Sequence, residues 1–200
     1  MIEEKRFPAT GMPDQDWWQA LWPAPAATLR AVGIATHDSV VDLCCGDGYF
    51  TSALSQLVEP GHVFGVDLDP AMLQQAKAVC HQVGNCTFLE GDARELQDRI
   101  SAPIDVVLIA NTFHGVPDKT GLAQTIHSVL KPGGRFIVIN WHARAREETT
   151  VLGQPRGPAT PMRMSPEALA AVVTPAGFEL TEVVELPPYH YGAIFRRTSA

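Results

Sequence analysis

Val40-Val41-Asp42-Leu43-Cys44-Cys45-Gly46-Asp47-Gly48-Tyr49-Phe50-Thr51 is the stretch that decides the fold. Two β-branched residues lead into an acid, a turn with two glycines follows, and helical spacing starts near Tyr49. That order reads as a buried strand, a tight turn and the N-terminus of a helix. Glycines there let the backbone approach a ligand, and the first N–H groups of the helix are free to bind one. A dinucleotide-binding loop would carry a third glycine three residues after Gly48, where Thr51 stands. Asp42, just before the turn, would also repel a pyrophosphate. A ligand bearing positive charge fits this turn better.

Outward from this stretch, short apolar runs alternate with helical patterns. Ser39–Leu43, His62–Asp67, Cys86–Glu90, Ile104–Ala110 and Arg135–Trp141 are continuously apolar, as strands buried on both faces of a parallel sheet are. Tyr49–Val58, Pro70–Val83 and Asp118–Leu130 are predicted helices. Pro70 suits a first helical turn with Asp69 as its N-cap, and Lys131-Pro132-Gly133-Gly134 ends the third helix. Such alternation defines an open, doubly wound α/β sheet. Pro166–Val173 adds a helix. Phe178–Leu186 and Tyr191–Arg197, joined across Pro187–His190, form a hairpin whose last strand is antiparallel. The expected fold class is a seven-stranded, mostly parallel sheet with an antiparallel last strand. Residues 1–36, with Trp17, Trp18 and Trp22 on or beside a helix over Asp14–Leu21, are expected to form a helical cap or lid. Residues 37–200 form the ligand-binding domain, and its Gly- and Pro-rich insertion at 143–165 is long enough to meet a substrate.

The 200 residues suit one domain, and a folded chain of this mass buries about 70% of its surface. Hydrophobic residues at 46% and charged residues at 18% exclude a disordered chain. The formal charge of −7 repels a phosphate backbone, so nucleic acid is not an expected partner. The apolar run Ile104–Ala110 is too short to span a membrane, and Met1–Arg6 followed by Pro8 lacks an apolar leader. Cys44, Cys45, Cys80 and Cys86 form no CxxC pair and read as free thiols of a cytoplasmic protein. Against the negative whole, Arg144, Arg146, Arg156 and Arg163 cluster in the insertion. Arg156 and Arg163 are candidates to clamp an anionic substrate.

Further polar residues end successive strands. Asp67 closes Val63-Phe64-Gly65-Val66-Asp67, where a carboxylate can accept both hydroxyls of a ribose. Asp92 follows Phe88-Leu89-Glu90-Gly91, where it can accept from an adenine amino group. Asn111 follows Val106–Ala110. All lie at the carboxyl edge of the sheet, where ligands bind in open α/β folds.

Through Asp-Leu-Cys-Cys-Gly-Asp-Gly, Gly-Val-Asp, Gly-Asp-Ala and Leu-Lys-Pro-Gly-Gly, from about Val40 to Trp141, the chain resembles the class I S-adenosylmethionine methyltransferases. The resemblance is to the broad group that contains the ubiquinone and menaquinone biosynthesis enzymes. It implies S-adenosylmethionine as cofactor, with Asp42 and the backbone from Cys44 through Gly46 to Gly48 on the methionyl part. Asp67 with Leu68 would hold the ribose and Asp92 with Ala93 the adenine, with Asn111 on the same edge. Cys44 stands where the family usually has the first glycine of its loop.

Methyl transfer from a sulfonium needs an aligned nucleophile. The protein positions it, desolvates it and, where required, removes a proton. His114, His142 and His190, with Tyr189 beside them, are expected to converge on one mouth as the catalytic candidates. Their spacing is that of no known ligand set, so no metal is expected. A histidine can equally be a core hydrogen-bonder, and each acid a helix cap. The expected function is methylation of a small-molecule acceptor, one that carries negative charge if the arginines engage it. A non-catalytic cofactor-binding module and an NAD-dependent oxidoreductase on a related fold are the alternatives.

Overall fold

Neighbouring residues on each central strand point to opposite faces, and here both faces are apolar. Val41, Val107, Ile109, Phe136 and Val138 belong to one core cluster, whereas Val40, Val106, Leu108, Ile137 and Ile139 belong to the other. A strand with two buried faces needs helices on both sides, which is the layering found in the computed structural model. It describes residues 6–81 and 84–198. In chain order the elements are α1 (Gln15–Leu21), α2 (Pro25–Ala31), β1 (Ser39–Leu43), α3 (Tyr49–Val58), β2 (His62–Asp67), α4 (Pro70–Cys80) and β3 (Cys86–Glu90). There follow β4 (Ile104–Ala110), α5 (Lys119–Val129), β5 (Leu130–Trp141), α6 (Pro166–Val173), β6 (Phe178–Leu186) and β7 (His190–Arg197).

The sheet has seven strands in the order β3-β2-β1-β4-β5-β7-β6. Pairs from β3 to β5 are parallel, and β7 runs antiparallel to both its neighbours. The expected fold class is therefore the observed one. Chain order reverses between β1 and β4, and a crevice opens at the carboxyl ends of these two strands. Helices α5 and α6 cover the Val41 face, and α3 with α1 and α2 covers the Val40 face.

Most boundaries fall where the sequence puts them, and the exceptions have local causes. Helix α5 starts one residue late because Asp118 caps it, its side chain accepting from Gly121 N at 2.8 Å. Strand β5 starts at Leu130 rather than Arg135: Leu130 pairs with Ile104, and the ladder resumes at Arg135 opposite Val106. The expected turn residues 131–134 bulge out between. Helix α2 lies where the prolines suggest a stiff connector; Pro25 occupies the first helical turn, where its missing N–H is not needed. Helix α4 ends at Cys80, and Gln82 and Val83 of its expected span lie outside the described residues, as do Met1–Lys5 of the expected cap and leader reading. Trp18, Leu21 and Trp22 are buried against Phe50, Leu54 and Leu29, so much of the cap packs as core.

Two glycines of the β1–α3 turn adopt left-handed backbone, Gly46 at φ +56° and Gly48 at φ +86°. A Cβ on Gly46 would press on the flexible Met12 Sδ at 2.9 Å, but one on Gly48 would meet the Ala76 Cα at 2.8 Å. Gly48 therefore serves the close approach of α4, and it does not line the cavity described below. Gly48→Ala is expected to lose ~2–4 kcal/mol from steric overlap and backbone strain, lowering the melting temperature by about 5–15 °C. A thermal melt within 2 °C of the parent would contradict this.

Candidate functional site

The crevice holds a cavity of about 680 Å³, within the ~300–1,000 Å³ usual for small-molecule sites. Its floor is the carboxyl edge: Asp42, Cys44, Cys45 and Gly46 after β1, Asp67, Leu68 and Asp69 after β2, Gly91–Ala93 after β3, and Ala110–Thr112 after β4. Residues 6–13, apart from Pro8, and Trp17 and Trp18 contribute to its wall, with His114 also lining it. Trp141, Arg146, Arg156 and Gly157–Ala159 complete the lining.

Asp42 is almost fully buried and accepts from the Thr51 hydroxyl at 2.6 Å. Burial pushes its carboxyl up to about 7, against the lowering hydrogen bond from Thr51, with the nearby Asp67 charge adding to the rise. Asp67 ties the turn after β1 to its own loop: Oδ2 accepts from Gly46 N at 2.8 Å and Oδ1 from Asp69 N at 2.9 Å. Each oxygen retains a second lone pair for a ligand hydroxyl. Asp92 caps a 3₁₀ turn, accepting from Arg94 N at 3.0 Å, and pairs with the Arg94 guanidinium. The capping alternative is thus realised at Asp92 while it still faces the cavity.

Cys44 and Asn111 flank the crevice, and both are non-glycine residues in left-handed backbone, at φ +63° and +58°. Such strain concentrates at functional sites. At the Cys44 position a glycine would adopt this backbone without strain. Both amide atoms of Asn111 are buried and have no hydrogen-bond partner. A buried amide without partners is costly, and a ligand in the adjoining cavity can supply them. The residues fit S-adenosylmethionine on these grounds: an electron-rich floor for a cationic group, free lone pairs at Asp67, and an unsatisfied amide at Asn111.

The three histidines do not meet. His114 lines the cavity; its Nε2 lies 3.1 Å from the Ala9 carbonyl, which can only accept, so Nε2 carries the proton and Nδ1 is left as a buried lone pair without a partner. Burial lowers its pKa below the usual histidine value, outweighing the Ala9 bond, and the charges of Lys119 and Arg163 add to the lowering. The β6–β7 hairpin does emerge on the cofactor's edge, with His190 opposite Trp141, yet its residues turn away. His190 is packed between Trp22 and Trp141, at 4.5 and 4.1 Å between ring centroids, with neither ring nitrogen bonded. Burial holds its pKa well below the ordinary value. Tyr189 stacks on Trp141 and donates to the Thr150 carbonyl at 2.9 Å. His142 contacts Glu185 at 3.0 Å. None of His142, Tyr189 and His190 lines the cavity, although Trp141 at the end of β5 does, because these contacts hold the three side chains elsewhere.

The arginines also divide. Arg156 reaches the cavity, with Arg146 beside it. Arg163 is buried outside it, donating to the Pro158 and Arg156 carbonyls and to the Thr149 hydroxyl, and lies over Trp141 at 4.9 Å. Phe7, Thr10 and Met12 fall within the segment expected to form a cap or lid, but they and Tyr49 and Phe50 carry no sequence signal that singles them out as cavity lining. Pro8 and Pro13 mark stiff chain but carry no periodic signal of what that chain covers. Among the described residues no group of three or more His, Cys, Asp or Glu side chains could hold a metal ion, and no helix is long and apolar enough to cross a membrane.

With this geometry in place, the comparisons agree with one another. A family model described as a methyltransferase domain matches residues 34–172. A demethylmenaquinone methyltransferase of Lactococcus lactis subsp. lactis is 39% identical over 122 residues, covering 60% of this chain and 47% of the relative. One from Lactiplantibacillus plantarum is 35% identical over 116 residues, covering 56% and 48%. The chain thus spans about half the length of these curated relatives. Among solved structures, an S-adenosylmethionine-dependent methyltransferase of Aquifex aeolicus superposes with a TM-score of 0.77 at 21% identity, over 92% of this chain and 94% of that one. Fibrillarin of Aeropyrum pernix, with natively bound S-adenosylmethionine, gives 0.63 at 18% identity, over 85% and 72%. The fold and site define a class I methyltransferase domain. The chain belongs to the methyltransferase-domain family, and S-adenosylmethionine is its cofactor.

The raised Asp42 carboxyl makes both stability and cofactor binding depend on pH. Between about pH 4 and 7 the folded carboxyl keeps a proton that the unfolded chain releases, so its contribution to stability falls as pH rises through that window. Asp42→Asn keeps an acceptor for Thr51 but cannot ionise. Relative to the parent, it should gain stability from pH 5 to pH 8 in chemical denaturation. Parental affinity for the cationic cofactor should rise through about pH 7, and the variant should bind weakly at every pH. A parallel pH profile for the two proteins would contradict the assignment.

Proposed function

We propose that the protein transfers a methyl group from S-adenosylmethionine to a small-molecule acceptor held in the same cavity, beside the arginines that line it. The observation that carries this reading is the pairing of an acidic, partly unsatisfied floor with a neutral histidine lone pair in one enclosed space. The bound cofactor supplies an electrophilic methyl on a positively charged sulfur. Asp67 and Leu68 serve the ribose side, and Asp92 with Ala93 the adenine side. Asp42 and the loop from Cys44 to Gly46 serve the methionyl side, and Gly48 supports that loop through α4. Asn111 offers its amide to whichever polar group lies above β4. Residues 6–13 with Trp17 and Trp18 act as the lid that keeps water from the reacting atoms.

His114 accepts the acceptor's proton at Nδ1, while the Ala9 carbonyl holds Nε2–H and so fixes the tautomer. The low pKa keeps the imidazole neutral at pH 7, at the cost of basicity. His142 and His190 act through packing alone, with Tyr189 supporting Trp141.

Methyl transfer to a metabolite extract, followed with labelled cofactor, identifies the acceptor on which the roles are then tested. His114→Asn should lower turnover ~10²–10⁴-fold with cofactor affinity unchanged, whereas His142→Asn should stay near the parental rate. With cofactor saturating at every pH, so that the Asp42 titration does not enter, parental turnover should be flat around pH 7 and fall only in acid, below the ordinary histidine value of about 6.5. Near-parental turnover by His114→Asn would show that the site works by positioning alone.

A further inference from the structure

The long loop between β5 and α6 carries four guanidinium groups, on Arg144, Arg146, Arg156 and Arg163, that pair with no carboxylate among the described residues, and Arg144 is the exposed one. Of the other three, neighbouring groups explain only one. Arg163 is the knot of the loop, tying Pro158, Thr149 and Arg156 together. Arg156 is held by its backbone, its N–H donating to the Thr149 carbonyl at 2.9 Å and its own carbonyl accepting from Arg163. Its side chain is thereby delivered over Trp17, 5.1 Å from the ring centroid, with Nε buried and unbonded. The Arg146 Nε donates to the Gly157 carbonyl at 3.0 Å, which orients that guanidinium beside the same cavity. Two half-buried guanidinium groups that line the cavity with no carboxylate in ion-pair contact among the described residues are unfavourable unless a ligand brings the charge to them.

The charge is also placed by position. Asp42, Asp67 and Asp92 stand at the strand ends assigned to the cofactor, while Arg146 and Arg156 reach the same cavity from the loop after β5, beside Trp141. The aromatic lining of the cavity suits a flat body, and a planar guanidinium suits a carboxylate, which it can bind through two parallel hydrogen bonds. Resting on the methyltransferase reading above, we infer that the acceptor is a flat, largely apolar molecule carrying a carboxylate, and that Arg156 and Arg146 bind that carboxylate and set the acceptor's register against the methyl group.

The test titrates 4-hydroxybenzoate and phenol, which share ring and hydroxyl, into protein saturated with S-adenosylhomocysteine. The parent should bind 4-hydroxybenzoate about 10-fold or more tightly than phenol. Arg156→Gln and Arg146→Gln should each remove most of that preference, and Arg156→Lys should keep part of it through charge alone. S-adenosylhomocysteine affinity should stay within about 2-fold in all three. No preference for the carboxylate in the parent would overturn the inference. So would a Gln variant that loses S-adenosylhomocysteine as strongly as 4-hydroxybenzoate, because the arginines would then serve the cofactor's own carboxylate. A parent that binds no S-adenosylhomocysteine sinks the methyltransferase reading itself, whereas bound S-adenosylhomocysteine without carboxylate preference sinks only the acceptor assignment.

Discussion

The parallel pairing of β1 with β4 is the constraint on which the molecule depends. Val40, Val41 and Asp42 sit opposite Val106, Val107 and Leu108, although two helices and two other strands intervene in the chain. Because β2 and β4 flank β1 on opposite sides, the chain must leave in opposite directions from adjacent strand ends. Those ends are where Cys44 and Asn111 take up left-handed backbone. The strain, the cavity and the acids follow from that one reversal, and the hydrophobic layers on the two faces hold it in place.

Charge is distributed in the cavity as a consequence of the same topology. Strand ends on one side of the reversal present Asp42, Asp67 and Asp92, while the insertion after β5 folds back with Arg146 and Arg156. Burying Asp42 is costly enough to move its carboxyl to about 7, a cost that a folding requirement alone does not explain. A positively charged ligand offsets it. The protein therefore resembles a half-completed set of interactions, with Asn111, Arg156 and the His114 lone pair among the groups that await partners.

Much of this is legible in the sequence, for physical reasons that differ by element. Continuous apolar strands and the capped, proline-initiated helices follow from local chemistry, and α3 and α6 start and stop at the predicted residues. The acids of the floor are legible because strand ends in this architecture share one edge. The histidines are not, because proximity to that edge says nothing of which face a side chain takes: His190 turns into the Trp22–Trp141 stack while His114 turns to the cavity. Nor is the division of labour between Arg156 and Arg163 legible, since it depends on which guanidinium the loop's own carbonyls capture. Within the expected cap, which of residues 6–13 line the cavity is not legible for a similar reason. This segment is irregular chain positioned by contacts such as Thr10 with the Phe7 carbonyl and Ala9 with His114.

The central claim is that the crevice between β1 and β4 accepts S-adenosylmethionine in preference to a dinucleotide. The most direct measurement is titration calorimetry of the protein with S-adenosylmethionine and, separately, with NAD. The account predicts one S-adenosylmethionine per chain and no measurable heat of NAD binding, because the loop lacks a third glycine and Asp42 faces the ligand. Stoichiometric binding of NAD with no binding of S-adenosylmethionine would contradict it.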